Sequence, residues 1–169
     1  MILIGGGSRS GKTRFALNLS RKYGTRLAYV ATAELLDEEM QGRAARHREE
    51  RGSAFVTIEE PRNLATLIEQ QGGNFDAMVV DCLTLWLSNV MLSTPAEPPE
   101  ASTRLLCITA ARAATQIIFV TNEVGCGIVP DNQLAREFRD HAGWLNQAIA
   151  EQSTEVYWMA FGCPLKVKG

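Results

Sequence analysis

Eight residues near the start of the chain constrain it most: Gly6-Gly7-Ser8-Arg9-Ser10-Gly11-Lys12-Thr13, a complete G-x-x-x-x-G-K-[ST] pattern. The apolar run Met1-Ile2-Leu3-Ile4 precedes it, and Phe15-Ala16-Leu17-Asn18-Leu19, which reads as a helix, follows. That strand–loop–helix context gives the pattern its physical meaning. The glycines let backbone N–H groups turn inward around a triphosphate. Lys12 brings a positive charge to the outer phosphates, and Thr13 offers a hydroxyl to Mg²⁺. The helix beginning here directs its positive end at the same phosphates. A dinucleotide fingerprint is the rival pattern, but Gly5-x-Gly7 would need a third glycine where the chain has Ser10. A plain glycine-rich turn is the blander alternative.

Along the chain, short apolar or β-branched runs recur at Met1–Ile4, Arg26–Thr32, Met78–Asp81, Ile117–Thr121 and Val156–Phe161. Helical patterns separate them: Thr13–Tyr23, the highly charged Asp37–Arg51, Pro61–Gln70, Cys82–Leu92, Thr103–Ala114 and Gln133–Glu151. Pro61 is read as the first residue of its helix, where a missing N–H does no harm. In the last helix Leu134, Phe138, Leu145 and Ile149 share one face. Strands separated by helices imply parallel pairing through right-handed crossovers. Near-continuous apolar strands such as Ile117-Ile118-Phe119-Val120 imply a sheet covered on both sides. The expected fold is α/β: a mostly parallel, doubly wound sheet with helices on both faces, a phosphate-loop NTPase of RecA-like architecture. Residues 1–169 form one domain by length. Ser93–Ser102, with Pro95, Pro98 and Pro99, reads as a surface loop.

Composition narrows the partners. Net charge is −2, with 46% hydrophobic and 21% charged residues, so no basic field suggests nucleic acid or a membrane surface. No apolar run approaches bilayer-spanning length. Met1–Ile4 leads straight into the phosphate loop without a charged n-region and cleavage site, so no export signal is expected. Cys82, Cys107, Cys126 and Cys163 are widely spaced, and only His47 and His141 could join them, so a zinc site is not expected. They read as reduced, mostly buried thiols of a cytoplasmic protein.

Ala77-Met78-Val79-Val80-Asp81 has the pattern of a second nucleotide element. Four apolar residues ending in Asp would deliver a carboxylate to the C-terminal sheet edge, where it could hold Mg²⁺ directly or through water. Asp81 could equally cap the following helix. In Asp37–Arg51, residues 43, 47 and 51 fall on one helical stripe, so Arg43 and Arg51 flank His47 by one turn each. Two cations beside a histidine make a phosphoryl cradle and favour the neutral, nucleophilic imidazole. On these residues alone, a solvated face knitted by Glu39–Arg43 and Arg46–Glu50 pairs is the stronger reading. His141 reads as a packing or surface residue. Thr121-Asn122-Glu123-Val124-Gly125-Cys126-Gly127-Ile128-Val129-Pro130 follows a strand directly, at the edge where open α/β sheets bind ligands. A role in substrate binding or loop closure competes there with a plain connection.

Taken together, the phosphate loop, Tyr29-Val30-Ala31-Thr32-Ala33, Asp37-Glu38-Glu39-Met40 with Arg43 and His47-Arg48, Val80-Asp81-Cys82-Leu83-Thr84-Leu85-Trp86, Asn122-Glu123-Val124-Gly125-x-Gly127-Ile128-Val129-Pro130 and Phe138-Arg139-Asp140-x-Ala142-Gly143 resemble the bifunctional adenosylcobinamide kinase / adenosylcobinamide-phosphate guanylyltransferase family of cobalamin biosynthesis. The likeness covers nearly the whole chain. It implies phosphorylation of the aminopropanol hydroxyl of adenosylcobinamide by ATP or GTP, then transfer of GMP from GTP to that phosphate through a GMP–histidine intermediate. The matching histidine is His47, which reverses the solvated-face reading. By the same resemblance Lys12, Mg²⁺ and the loop amides stabilise departing pyrophosphate. Ala31, Thr32, Ala33, Arg48, Glu49, Glu50, Arg51, Glu59 and Asp81 line the GTP site with Gly6, Gly7, Ser8, Arg9, Ser10, Gly11, Lys12 and Thr13, and Thr13 and Asp81 serve the metal. The resemblance further implies a homo-oligomer, a trimer. The family carries a longer segment before the strand that leads to Asn122-Glu123; here it is trimmed, which bears on how the corrinoid is gripped and on the kinase half.

Three other classes fit less. A monofunctional phosphate-loop kinase, with His47 merely binding phosphate, would form no covalent nucleotide adduct. A GTPase switch needs a guanine-reading Asn-Lys-x-Asp, which Asn122-Glu123-Val124-Gly125 does not supply. A DNA-dependent recombinase-like ATPase needs a basic, aromatic-interleaved patch that the sequence lacks.

Overall fold

Alternate residues of a strand point to opposite faces, so strands apolar at nearly every position need cover on both sides. The chain meets that need. A computed structural model describes residues 1–34, 54–93 and 98–169. Among them are the strands β1 (Ile2–Gly6), β2 (Leu27–Ala31), β3 (Phe55–Glu59), β4 (Ala77–Asp81), β5 (Gln116–Val120), β6 (Glu155–Ala160) and β7 (Cys163–Lys168). They form one sheet in the order β3-β2-β4-β5-β1-β6-β7. All neighbours pair in parallel except β6 and β7. The described helices are α1 (Lys12–Ser20), α2 (Leu64–Gln71), α3 (Leu83–Met91), α4 (Pro99–Arg112) and α5 (Gln133–Gln152).

Leu3, Val30, Met78, Val80, Ile117 and Phe119 face α2 to α5, packing on Leu64, Ile68, Leu87, Leu106, Leu145 and Ile149. Ile2, Ile4, Tyr29, Val79, Ile118 and Val120 face α1 through Ala16, Leu17 and Leu19. Burying each large aliphatic side chain contributes about 1.5–3 kcal/mol. The α/β expectation with helices on both faces holds, and β5 lies between β1 and β4 as in a RecA-like sheet.

Several boundaries differ from the sequence reading. The strands β3 and β7 were not expected. Pro164 and Gly162 argue against a strand, yet β7 is an edge, where proline is tolerated. Phe161 and Gly162, with φ of 53° and 82°, make the tight two-residue turn that joins β6 to β7. Pro61 does not begin α2. Glu60 accepts hydrogen bonds from the N–H groups of Arg62 and Asn63 at 3.0 and 2.7 Å, which holds a turn there, and the helix starts at Leu64. Conversely, α4 begins at Pro99 rather than Thr103. Pro99 occupies the first turn with Glu100, so the proline-rich stretch is partly a helix start rather than only a loop. In α5, Asn132 caps the first turn by accepting from Ala135 N at 2.7 Å. Leu134 of its expected apolar face is half exposed. Only Cys82 and Cys107 are buried; Cys126 and Cys163 are exposed, so the thiols are not mostly buried.

One surface device ties the sheet's N-terminal edge. The Asp76 carboxylate accepts from Thr25 N, Arg26 N and the Arg26 guanidinium at 2.6–3.0 Å. The Arg26 side chain, then its backbone N–H, holds the Asp76 carboxyl below its ordinary value. A depressed folded-state pKa adds stability above the unfolded pKa, about 3.9, and that stability fades as pH falls through the folded value. Asp76→Ala is therefore expected to lower the melting temperature at pH 7, with the gap to wild type narrowing as the pH falls below the ordinary carboxyl value. Thermal denaturation at several pH values checks this; a gap unchanged at low pH contradicts it.

Candidate active site

Parallel strands deliver their C-terminal ends to one sheet edge, and there the candidate residues gather. The pairing registers align Glu59 with Ala31, Ala31 with Asp81, Asp81 with Val120, and Val120 with Ile4. β1 runs into the phosphate loop. A Cβ on Gly6 would lie 2.7 Å from the Met159 carbonyl oxygen, so β6 permits only glycine where the loop leaves the sheet. Gly11, with φ of 92°, caps α1. The first-turn N–H groups of α1 lack intrahelical partners and make the standard anion seat. The β6–β7 turn braces the loop, with Gly162 N donating to Ser10 O at 3.2 Å.

Lys12 is buried at 7% exposure. Its ammonium donates to Gly7 O at 2.6 Å and Gly6 O at 3.0 Å, and lies 3.5 Å from Ser10 Oγ. Burial lowers its pKa, and the nearby Asp81 charge opposes that shift. Thr13 Oγ1 donates to Asp81 Oδ2 at 2.7 Å across 68 residues of sequence. Tyr29 Oη donates to the same oxygen at 3.1 Å. Asp81 is thus not a helix cap: the residue capping α3 is Cys82, and it makes no side-chain cap bond. A hydroxyl and a carboxylate in contact are hard oxygen donors suited to Mg²⁺, which takes one or two carboxylates and completes its shell with phosphates and water. No cluster of three or more His, Cys, Asp or Glu side chains suited to a metal occurs among the described residues.

The remaining candidates spread along the edge. Thr32 is fully buried, and its hydroxyl both donates to Cys82 O (2.8 Å) and accepts from Cys82 N (2.7 Å), so it fixes the turn after Asp81. Burial also raises the Cys82 thiol pKa. Ala31 and Ala33 flank Thr32 half-buried, and Glu59 is exposed at the end of β3, the far strand of the sheet. Gly7, Ser8, Arg9 and Ser10 complete the loop, Arg9 with φ of 55°. His47, Arg43, Arg48, Glu49, Glu50 and Arg51 lie outside the described residues. His141 sits edge-on to Trp144 and 3.5 Å from Glu100, away from this edge, as a packing residue.

Sequence reasoning gave no role to the residues that hold the site in shape. Thr84 Oγ1 accepts from Asn122 N at 2.8 Å. Asn89 Nδ2 donates to Thr32 O at 2.8 Å and Pro61 O at 3.0 Å. Trp86 Nε1 donates to Arg62 O at 2.7 Å. α3 thereby ties together the segments that follow β2, β3 and β5. A polar residue every few positions in an otherwise apolar helix was the available signal. Tyr29, an aromatic in an apolar strand, gave none.

Comparisons with known proteins converge on one family. The family model described as cobinamide kinase / cobinamide phosphate guanyltransferase matches residues 2–167. The bifunctional adenosylcobalamin biosynthesis protein CobP of Pseudomonas aeruginosa is 40% identical, over 99% of this chain and 96% of that protein. The bifunctional adenosylcobalamin biosynthesis proteins CobU of Salmonella typhimurium and Escherichia coli are 36% and 34% identical, each over 99% of both chains.

Proposed function

The chain belongs to the cobinamide kinase / cobinamide phosphate guanyltransferase family, and on that premise we propose that it phosphorylates adenosylcobinamide with ATP or GTP and then transfers GMP from GTP to the product. The conclusion of the pair is adenosylcobinamide-GDP, a step of cobalamin biosynthesis. The observation that carries the reading is the meeting of Lys12, Thr13 and Asp81 at one sheet edge in a chain matched from end to end by this family.

In the first reaction the substrate hydroxyl oxygen attacks the γ-phosphorus, and the bond to the β–γ bridging oxygen breaks. Lys12 and the loop amides hold the triphosphate and meet the charge that grows on the leaving diphosphate. In the second, an imidazole nitrogen of His47 attacks the α-phosphorus of GTP and pyrophosphate leaves. A phosphate oxygen of adenosylcobinamide phosphate then displaces His47, forming the new pyrophosphate link. Covalent catalysis of this kind divides one hard displacement into two easier ones. Thr13 and Asp81 would hold Mg²⁺, which supplies charge neutralisation at the phosphates. Ala31, Thr32, Ala33, Arg48 to Arg51 and Glu59 are assigned to the GTP site by the same family likeness.

The protein is further read as a cytoplasmic homo-oligomer, a trimer. No described helix is long and apolar enough to cross a membrane, and the four cysteines are free, which supports that setting. Mass analysis of adenosylcobinamide incubated with the enzyme, Mg²⁺ and ATP, then GTP, tests the function. Sequential gain of a phosphoryl and a guanylyl group is expected; phosphorylation without guanylylation would leave a monofunctional kinase.

Asp81→Asn keeps an acceptor for the Thr13 and Tyr29 hydroxyls but removes the charge. The Mg²⁺ concentration for half-maximal activity is expected to rise at least ~10-fold. An unchanged Mg²⁺ requirement would restrict Asp81 to pinning Thr13.

A further inference from the structure

The two acceptors of the proposed reactions differ in one chemical respect. An alcohol must lose a proton as it attacks phosphorus. A phosphate monoester has a second pKa near 6 and is already ionised at neutral pH. Only the kinase step therefore needs a base. Asp81 is poorly placed for that role, since its Oδ2 accepts from two hydroxyls. Glu59 lies four strands from β1, roughly 19 Å at the usual strand spacing.

A third carboxylate stands beside the phosphate loop. The Gly6 carbonyl that accepts from Lys12 Nζ at 3.0 Å also accepts from Glu123 N at 3.2 Å. Glu123 thus shares its backbone anchor with the ammonium that marks the outer phosphates. The segment around it is pinned on every side. Thr121 N donates to Ile4 O at 3.0 Å, and Asn122 N donates to Thr84 Oγ1 at 2.8 Å. Arg139 of α5 donates to Gly125 O. The half-buried Glu123 carboxylate accepts from Gly125 N through Oε1. That contact aims it, and Gly125 allows it: a Cβ there would sit 2.6 Å from Glu123 Oε1.

We propose that Glu123 is the general base of the kinase step. Its carboxylate takes the proton from the acceptor hydroxyl as the oxygen forms its bond to the γ-phosphorus. The γ-phosphorus bond to the leaving diphosphate breaks, and the carboxylic acid afterwards returns the proton to water. The inference rests on the kinase reading above and extends it to a named residue and a half-reaction.

Glu123→Gln tests it in the full chain, because the amide oxygen can still accept from Gly125 N and keep the loop. Two rates are measured: phosphorylation of adenosylcobinamide by ATP, and GMP transfer to supplied adenosylcobinamide phosphate. The kinase kcat is expected to fall at least ~100-fold and lose its acidic pH limb. GMP transfer is expected to stay within about threefold of wild type. Gly125→Ala, which keeps the carboxylate but crowds it, is expected to depress the kinase rate selectively as well. A Glu123→Gln kinase rate near wild type overturns the proposal. Equal loss of both rates also overturns it, because that result makes Glu123 a loop-positioning residue. Wild-type enzyme that transfers GMP but never phosphorylates adenosylcobinamide removes the kinase reading itself, and this inference with it.

Discussion

Lys12→Ala is expected to lower both phosphorylation and GMP transfer, each by at least ~100-fold, the usual cost of deleting one charge-stabilising donor. The structural reason is the environment of the ammonium. Lys12 is a buried residue, only 7% exposed, and its Nζ lies among the backbone dipoles of the loop. A charge removed from water acts on phosphate oxygens far more strongly than a solvated one. Its present acceptors, the Gly6 and Gly7 carbonyls, keep the Nζ aimed across the mouth of the loop. A single triphosphate seat serves both reactions in this account, so the two rates should fall together. Steady-state assays of each half-reaction check this. Loss of one rate alone would require a second nucleotide site.

His47→Ala should divide the two activities instead. GMP transfer is expected to drop at least ~1,000-fold, because removing a nucleophile abolishes the covalent route and leaves only binding and electrostatic assistance. Phosphorylation of adenosylcobinamide by ATP should continue within about threefold of wild type, since that reaction transfers the γ-phosphoryl group directly. The contrast with Lys12→Ala is the useful part. One variant disables the shared seat, and the other disables one of two reactions performed on it. A His47→Ala enzyme that retains GMP transfer would mean direct attack by the acceptor phosphate, and His47 would then only bind the nucleotide.

The core of this arrangement was readable from the chain because it is written in local patterns. A glycine-rich loop between an apolar strand and a helix, and an Asp at the end of another apolar strand, each carry their own spacing. The sequence could not show that Thr13 and Asp81 touch, since 68 residues separate them and only the strand order β4-β5-β1 brings them together. The structure sets aside the helix-cap alternative for Asp81: Cys82 occupies the cap position, and the Asp81 carboxylate is turned toward Thr13. Tyr29, though part of a recognised motif, carries no legible role in the sequence because an aromatic in a buried strand looks like core, and its ring is core; only its hydroxyl reaches Asp81. The bracing roles of Thr84 and Asn89 are not legible either, because their partners are backbone atoms of distant connections. At the C-terminus, local rules misled: a proline in a strand is unfavourable inside a sheet but not on the exposed edge that β7 forms. His47 belongs to a different category. Its helical spacing alone favoured a solvated face, and its role comes from family likeness.

Covalent transfer of GMP through His47 leaves a protein-bound nucleotide that can be trapped. Wild type and His47→Ala are incubated with Mg²⁺ and α-labelled GTP, denatured and washed free of nucleotide. The account predicts label retained on the wild type alone, labile to acid and stable to base, as a histidine phosphoramidate is. Wild-type protein that binds GTP yet retains no label would contradict it.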